Sequence, residues 1–166
     1  KGAAPSIVPA SQAGSQLQAS ASINFGMTLN AGQEAAGRLI LSTTNRIVAV
    51  QGVAGAGKSS LLRPTAQILH EHGKQVIGLG VQNTLVRMLE RETGIPSITL
   101  HRFLGQHRKL IEGSAGKAEL AQMREAYRNT VLVLDEASMV STRDSDRLVR
   151  LANLLAVDRL VLMGDA

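Results

Sequence analysis

Two short runs hold residue types that could do chemistry. The first is Gly52-Val53-Ala54-Gly55-Ala56-Gly57-Lys58-Ser59, which fills every fixed position of the pattern GxxxxGK[ST]. Its glycines let the backbone curl into a nest of inward N–H groups, and a helix starting there turns its positive end on an anion. Such a loop cradles nucleotide phosphates, with the lysine reaching the β- and γ-phosphates and the hydroxyl holding Mg2+. Residues 52–59, with Ser60 beside them, are therefore the expected nucleotide-binding set, and Lys58 is the expected catalytic cation. The second run is Val131-Leu132-Val133-Leu134-Asp135-Glu136, two carboxylates at the end of an apolar strand. Ligands of open α/β sheets gather at that end. Adjacent residues leaving a strand point in different directions, so the two acids are expected to divide the work. Asp135 joins Ser59 as a Mg2+ ligand, and Glu136 orients or deprotonates the attacking water.

These runs need strands and helices to hold them. Apolar, β-rich stretches at 46–51, 74–80, 129–136 and 158–165 alternate with helical patterns at 31–43, 58–72, 84–92, 117–128 and 143–155. That alternation predicts an α/β fold with a mainly parallel sheet and helices on both faces. The region 97–115 shows no clear period. Pro64 falls inside the second helix, where a missing N–H should kink or loosen the first turns. Residues 1–24 mix Ala, Ser, Gln, Gly and Pro around one charge and read as a flexible linker before a domain over 25–166. The chain starts with Lys1 and stops soon after an apolar run, so a segment of a longer protein is expected.

Composition narrows the classes. At 166 residues the chain suits one domain, and zero cysteines exclude a disulfide scaffold and a thiolate metal site. His101 and His107 have no ligand pattern around them. A net charge of +5 favours polyanionic partners. Three aromatic residues, Phe25, Phe103 and Tyr127, are too few for a surface built mainly on base stacking. No apolar run reaches membrane-span length.

Taken together with their neighbours, these signals resemble the RecD-like superfamily 1 DNA helicases. They are most like the helicase part of TraI-type (MobF) conjugative relaxases. The resemblance covers about residues 29 to 166 through LNAGQEAAGRLI, VQGVAGAGKSS, VIGLGVQNTLVRML, ITLHRFLG, VLVLDEASMVS and LVLMGDA, in the family's order. It implies a RecA-like P-loop NTPase fold, ATP and Mg2+ as cofactors, and single-stranded DNA as the track. By the same likeness Gln33 reads the adenine ring, and an amide supplies both the donor and the acceptor that such an edge needs. Asp165 is the acid of the GDxxQ element. Gln82, Asn83 and Thr84, followed by His101 and Arg102, match two DNA-facing elements. Where the family carries Pro-Thr this chain has Val81-Gln82. Within 87–109, Arg87, Arg91, Arg102, Arg108 and Lys109 outnumber Glu90 and Glu92.

The resemblance further implies a second RecA-like domain elsewhere in the parent chain, which supplies an arginine for the transition state. Other domains of that chain, conjugation (relaxosome) proteins and a bacterial cytoplasmic location follow from the same likeness. The isolated stretch is then expected to hydrolyse ATP weakly or not at all. Two other classes stay open on the residues alone: a P-loop ATPase or kinase unrelated to DNA, and a non-catalytic single-stranded DNA-binding module.

Overall fold

The computed structural model describes residues 3–51, 53 and 56–164. Elements follow in the order α1 (Ala10–Phe25), α2 (Ala31–Ser42), β1 (Ile47–Val50), α3 (Ala56–Glu71), β2 (Gln75–Gly80), α4 (Asn83–Thr93), β3 (Ser97–Thr99), α5 (Leu100–Gln106), α6 (Arg108–Glu112), α7 (Lys117–Tyr127), β4 (Thr130–Leu134), a 3-10 turn (Ala137–Met139), α8 (Thr142–Leu155) and β5 (Arg159–Met163). Among the described residues the five strands pair in the order β1-β5-β4-β2-β3, every pair parallel. This is the expected α/β architecture, consistent with a RecA-like P-loop domain.

Strand β4 shows why the sheet is sandwiched. All five of its residues are buried. Successive side chains of a strand point to opposite faces, so Val131 and Val133 join one core while Leu132 and Leu134 join the other. The first core gathers α1, α2 and α3; the second gathers α5, α6 and α8. Gly78 in β2 lets α4 close in, because a Cβ there would lie 2.7 Å from Leu89 Cδ2 and would also strike Ser97 Oγ.

Three expectations change. The stretch read as a flexible linker is largely helical: α1 buries Ala13, Leu17, Ser20 and Ala21 against the rest of the molecule. Apart from Leu17 the stripe is made of small side chains, which lets α1 come close to α2. Leu17 then lies over Gly37, where a Cβ would stand 2.7 Å from Leu17 Cδ1. Such a stripe has little hydrophobic contrast, so it resembles a polar linker when only the sequence is read. Region 97–115 resolves into β3, α5 and α6, pieces of three, seven and five residues that are too short to display a period. Finally, α3 starts at Ala56, two residues before the expected start, and runs through Pro64. Thr65 Oγ1 donates to Leu61 O at 2.8 Å in the same turn, a back-bond that often accompanies a bent helix.

One buried cation ties the N-terminal part to the sheet. Arg159, fully buried, bonds Asp158 beside it and donates to Ile40 O (2.9 Å), Thr43 O (3.0 Å) and Pro5 O. Asp158 also pairs with Lys74 at 2.8 Å.

Candidate nucleotide-binding site

Among the described strands only β5 lies between β1 and β4, so the ends of β1 and β4 stand about 10 Å apart across the sheet, two strand spacings. A lysine side chain can bridge that gap. Lys58, in the first turn of α3, donates to Asp135 Oδ1 at 3.0 Å and to Glu136 Oε2 at 2.7 Å. Both carboxylates therefore meet one ammonium, and the expected division by direction is not what the structure shows. The reason is a backbone turn. Asp135 N still bonds Leu79 O at 2.9 Å, as a strand residue would, but Glu136 adopts φ 53° and ψ 47°. This left-handed conformation is uncommon for a residue with a side chain, and it swings Glu136 back beside its neighbour. Asp135 Oδ1 also accepts the Glu136 N–H at 3.0 Å, which steadies the turn.

Lys58 is 8% exposed. Burial, the largest single influence, pulls its ammonium down. The hydrogen bonds to Glu136 and Asp135, together with their charges, outweigh it and leave the group above its ordinary value of 10.5. Lys58 is thus a charged ammonium held on two acids.

Around this contact opens a cleft of about 780 Å³, lined among others by Ser59, Ser60, Arg63, Arg91, Glu92, Asp135 and Glu136. Ser59 Oγ donates to Glu92 Oε1 at 2.7 Å. Gln33 lies beside the first turn of α3. Its Nε2 donates to Gly57 O at 3.1 Å, while its Oε1 accepts the Asn30 N–H at 2.9 Å in a capping box at the start of α2. Val53 packs its side chain into the first core, leaving only its backbone for a ligand. Gly52, Ala54, Gly55 and Asp165 lie outside the described residues, and of Ala56 only its place at the start of α3 is described.

The donor chemistry fits magnesium completed by phosphate. Among the described residues, no three acidic, histidine or cysteine side chains gather as a metal site. The cleft offers instead hard oxygens from Ser59, Asp135 and Glu136, and Mg2+ commonly takes one or two carboxylates plus substrate phosphates.

The other expected residues lie on the same sheet edge. Gly80 and Thr99 are register partners in β2 and β3. Two residues beyond each come Gln82 and His101, and Gln82, Asn83, Thr84, His101 and Arg102 are all exposed. Arg87, Arg91, Arg108 and Lys109 are exposed as well. His107 is not. It is buried, with Nε2 at 3.0 Å from Tyr127 Oη. Sequence reasoning missed Glu92 as a site residue, having counted it only as a charge on a basic stretch. It missed the left-handed Glu136 too. An acid at the far end of a helix gives no local sign that it faces a serine 33 positions earlier.

The family described as AAA domain matches residues 28–166, from just before α2 to the end of the chain. The chain belongs to the AAA domain family. This AAA domain is similar to the multifunctional conjugation protein TraI of Escherichia coli strain K12, 33% identical over 123 residues. It also resembles a probable conjugal transfer protein TraA of Sinorhizobium fredii, 33% identical over 120 residues, and conjugal transfer protein TraA of Agrobacterium fabrum, 31% identical over 121. Each likeness covers 72% of this AAA domain's chain but only 6% of TraI and 10% of each TraA. The RecD-like, relaxase-type resemblance read from the motifs is borne out at the level of this domain. No described helix is long and apolar enough to cross a membrane.

Proposed function

We propose that this chain is the ATP-binding motor domain of a DNA helicase, coupling ATP hydrolysis to translocation on single-stranded DNA within a conjugative relaxase of plasmid transfer in the bacterial cytoplasm. The observation that carries the reading is the meeting of Lys58 with Asp135 and Glu136 across β5. It joins the phosphate loop to the acidic strand end, two segments that phosphoryl transfer to water needs side by side. The relatives support the rest of the reading, being named for conjugation. So do the exposed polar and basic residues at the ends of β2 and β3.

In this reading Lys58 exchanges its carboxylate partners for the β- and γ-phosphates, which releases Asp135 and Glu136 for their own tasks. Asp135 and Ser59 hold Mg2+, which when bound neutralises charge on the phosphates. Glu136 orients the attacking water and takes its proton. Gln33 keeps its present bonds and still has one amide hydrogen and one carbonyl lone pair for the adenine edge. Asp165, the acid of the GDxxQ element, belongs to the nucleotide-binding set. Gln82, Asn83, Thr84, His101 and Arg102 contact the phosphates and sugars of the strand, and an arginine from a second domain of the parent chain completes the transition-state site.

The test uses the full-length parent. Lys58→Ala is expected to abolish both DNA-stimulated ATP hydrolysis and unwinding of a tailed duplex. Unwinding at the wild-type rate by this variant overturns the motor reading. Wild-type hydrolysis indifferent to single-stranded DNA points instead to an ATPase or kinase with another substrate. Salt-sensitive DNA binding without turnover points to a binding module.

A further inference from the structure

Among the contacts in the cleft, the bond from Ser59 to Glu92 has no part in the reading above. Glu92 stands in the last turn of α4, a helix anchored by buried Val86 and Leu89 and closed by Gly94 at φ 75°. The neighbouring Glu90 Oε1 accepts the Ser97 N–H at 2.9 Å, fastening the same turn to β3. The Glu92 carboxylate is therefore presented from a fixed backbone, and it lines the same cleft as Asp135 and Glu136.

A serine hydroxyl has one hydrogen and two lone pairs, and its rotor is free unless something holds it. A hydrogen turned toward a cation repels it, whereas a lone pair binds it. In this structure the hydrogen is committed to Glu92 Oε1 at 2.7 Å, which leaves both lone pairs of Ser59 Oγ for the opposite side. A charged acceptor makes that commitment stronger than a neutral one would. We infer that Glu92 is a positioning residue for the magnesium site, presetting the Ser59 hydroxyl as a metal donor from the far end of α4. The inference rests on the nucleotide-binding reading and adds a residue from an element that the phosphate-loop pattern does not include.

The test titrates Mg2+ against binding of a fluorescent ADP analogue by the full-length parent. It compares wild type with Glu92→Ala, Glu92→Gln, Ser59→Ala and the double variant. Loss of an outer-shell partner commonly weakens metal affinity 10- to 100-fold. For an exposed carboxylate the lower end applies, so Glu92→Ala is expected to raise the Mg2+ midpoint about 10-fold. Glu92→Gln keeps an acceptor oxygen without the charge and is expected to raise the midpoint less than Glu92→Ala does. In the Ser59→Ala background, adding Glu92→Ala changes nothing further. An unchanged midpoint in Glu92→Ala overturns the inference. So does a lowered midpoint, which would mean that Glu92 competes with the ion for the serine, and so does an equal shift without the Ser59 hydroxyl. If wild type shows no Mg2+-dependent binding at all, the nucleotide reading itself fails with it.

Discussion

At the scale of single residues, the site is a charge arrangement set for exchange. Lys58 has a raised pKa in the fold, so its ion pairs contribute fully below the unfolded value of 10.5 and are lost only as pH rises through the higher folded value. Over neutral and mildly basic pH the ammonium stays charged, and an incoming polyphosphate meets a cation. Glu136 pays for its place with a left-handed backbone, a conformation costing about 1–2 kcal/mol for an ordinary residue. Local strain of this kind collects at functional sites. Glu136→Gln keeps the side-chain length and an oxygen for Lys58 but removes the base. It is expected to retain nucleotide affinity while turnover by the full-length protein falls roughly 10²- to 10⁴-fold, measured by phosphate release. A turnover near wild type would remove Glu136 from the water-activating role.

At the scale of elements, three rings hold the pieces between β3 and β4 together. Phe103 of α5, His107 at the α5–α6 junction and Tyr127 of α7 meet edge to face, with centroids 4.9, 6.1 and 5.3 Å apart. Two of the chain's three aromatic residues are thus used on one joint, which supports α5 just behind His101 and Arg102. Burial holds the His107 imidazole below its ordinary 6.5. The unfolded chain therefore takes up this proton first on acidification. The His107 contribution is complete above pH 6.5 and is lost as pH falls through the lower folded value. Urea midpoints of wild type should drop more steeply below pH 6.5 than those of His107→Phe, whose ring has nothing to protonate. Parallel curves for the two proteins would contradict this.

At the scale of the whole molecule, the cooperative unit is larger than the family match. The match opens at residue 28, yet the first core includes Val8, Ala13, Leu17 and Ala21, and Arg159 reaches back to Pro5. Gln18 adds a polar seam, exchanging bonds with the Leu29 backbone and reaching Glu34 Oε1 at 2.8 Å. Leu17 is the one large apolar side chain of the buried stripe, seated over Gly37 and close to Leu61. Leu17→Ala leaves a hole that a stripe of small residues cannot refill, and it is expected to cost about 2–5 kcal/mol in equilibrium unfolding. A loss under about 0.5 kcal/mol, the range of surface substitutions, would return this segment to the status of a linker.

The parts legible in the sequence were those whose physics is local. A nest needs its glycines, lysine and hydroxyl within eight consecutive positions, and a strand buried on both faces needs an unbroken apolar run, so 52–59 and 131–136 were recognisable by themselves. Strands β1, β2, β4 and β5 and five of the helices fell close to their expected places for the same reason. Only the tertiary structure could decide which distant groups meet. Lys58 finds Asp135 and Glu136 more than seventy residues away because a single strand, β5, inserts between β1 and β4. Ser59 finds Glu92 because Gly78 lets α4 settle against the sheet. Those partnerships come from packing and from one left-handed turn, and neither leaves a periodic mark on the chain.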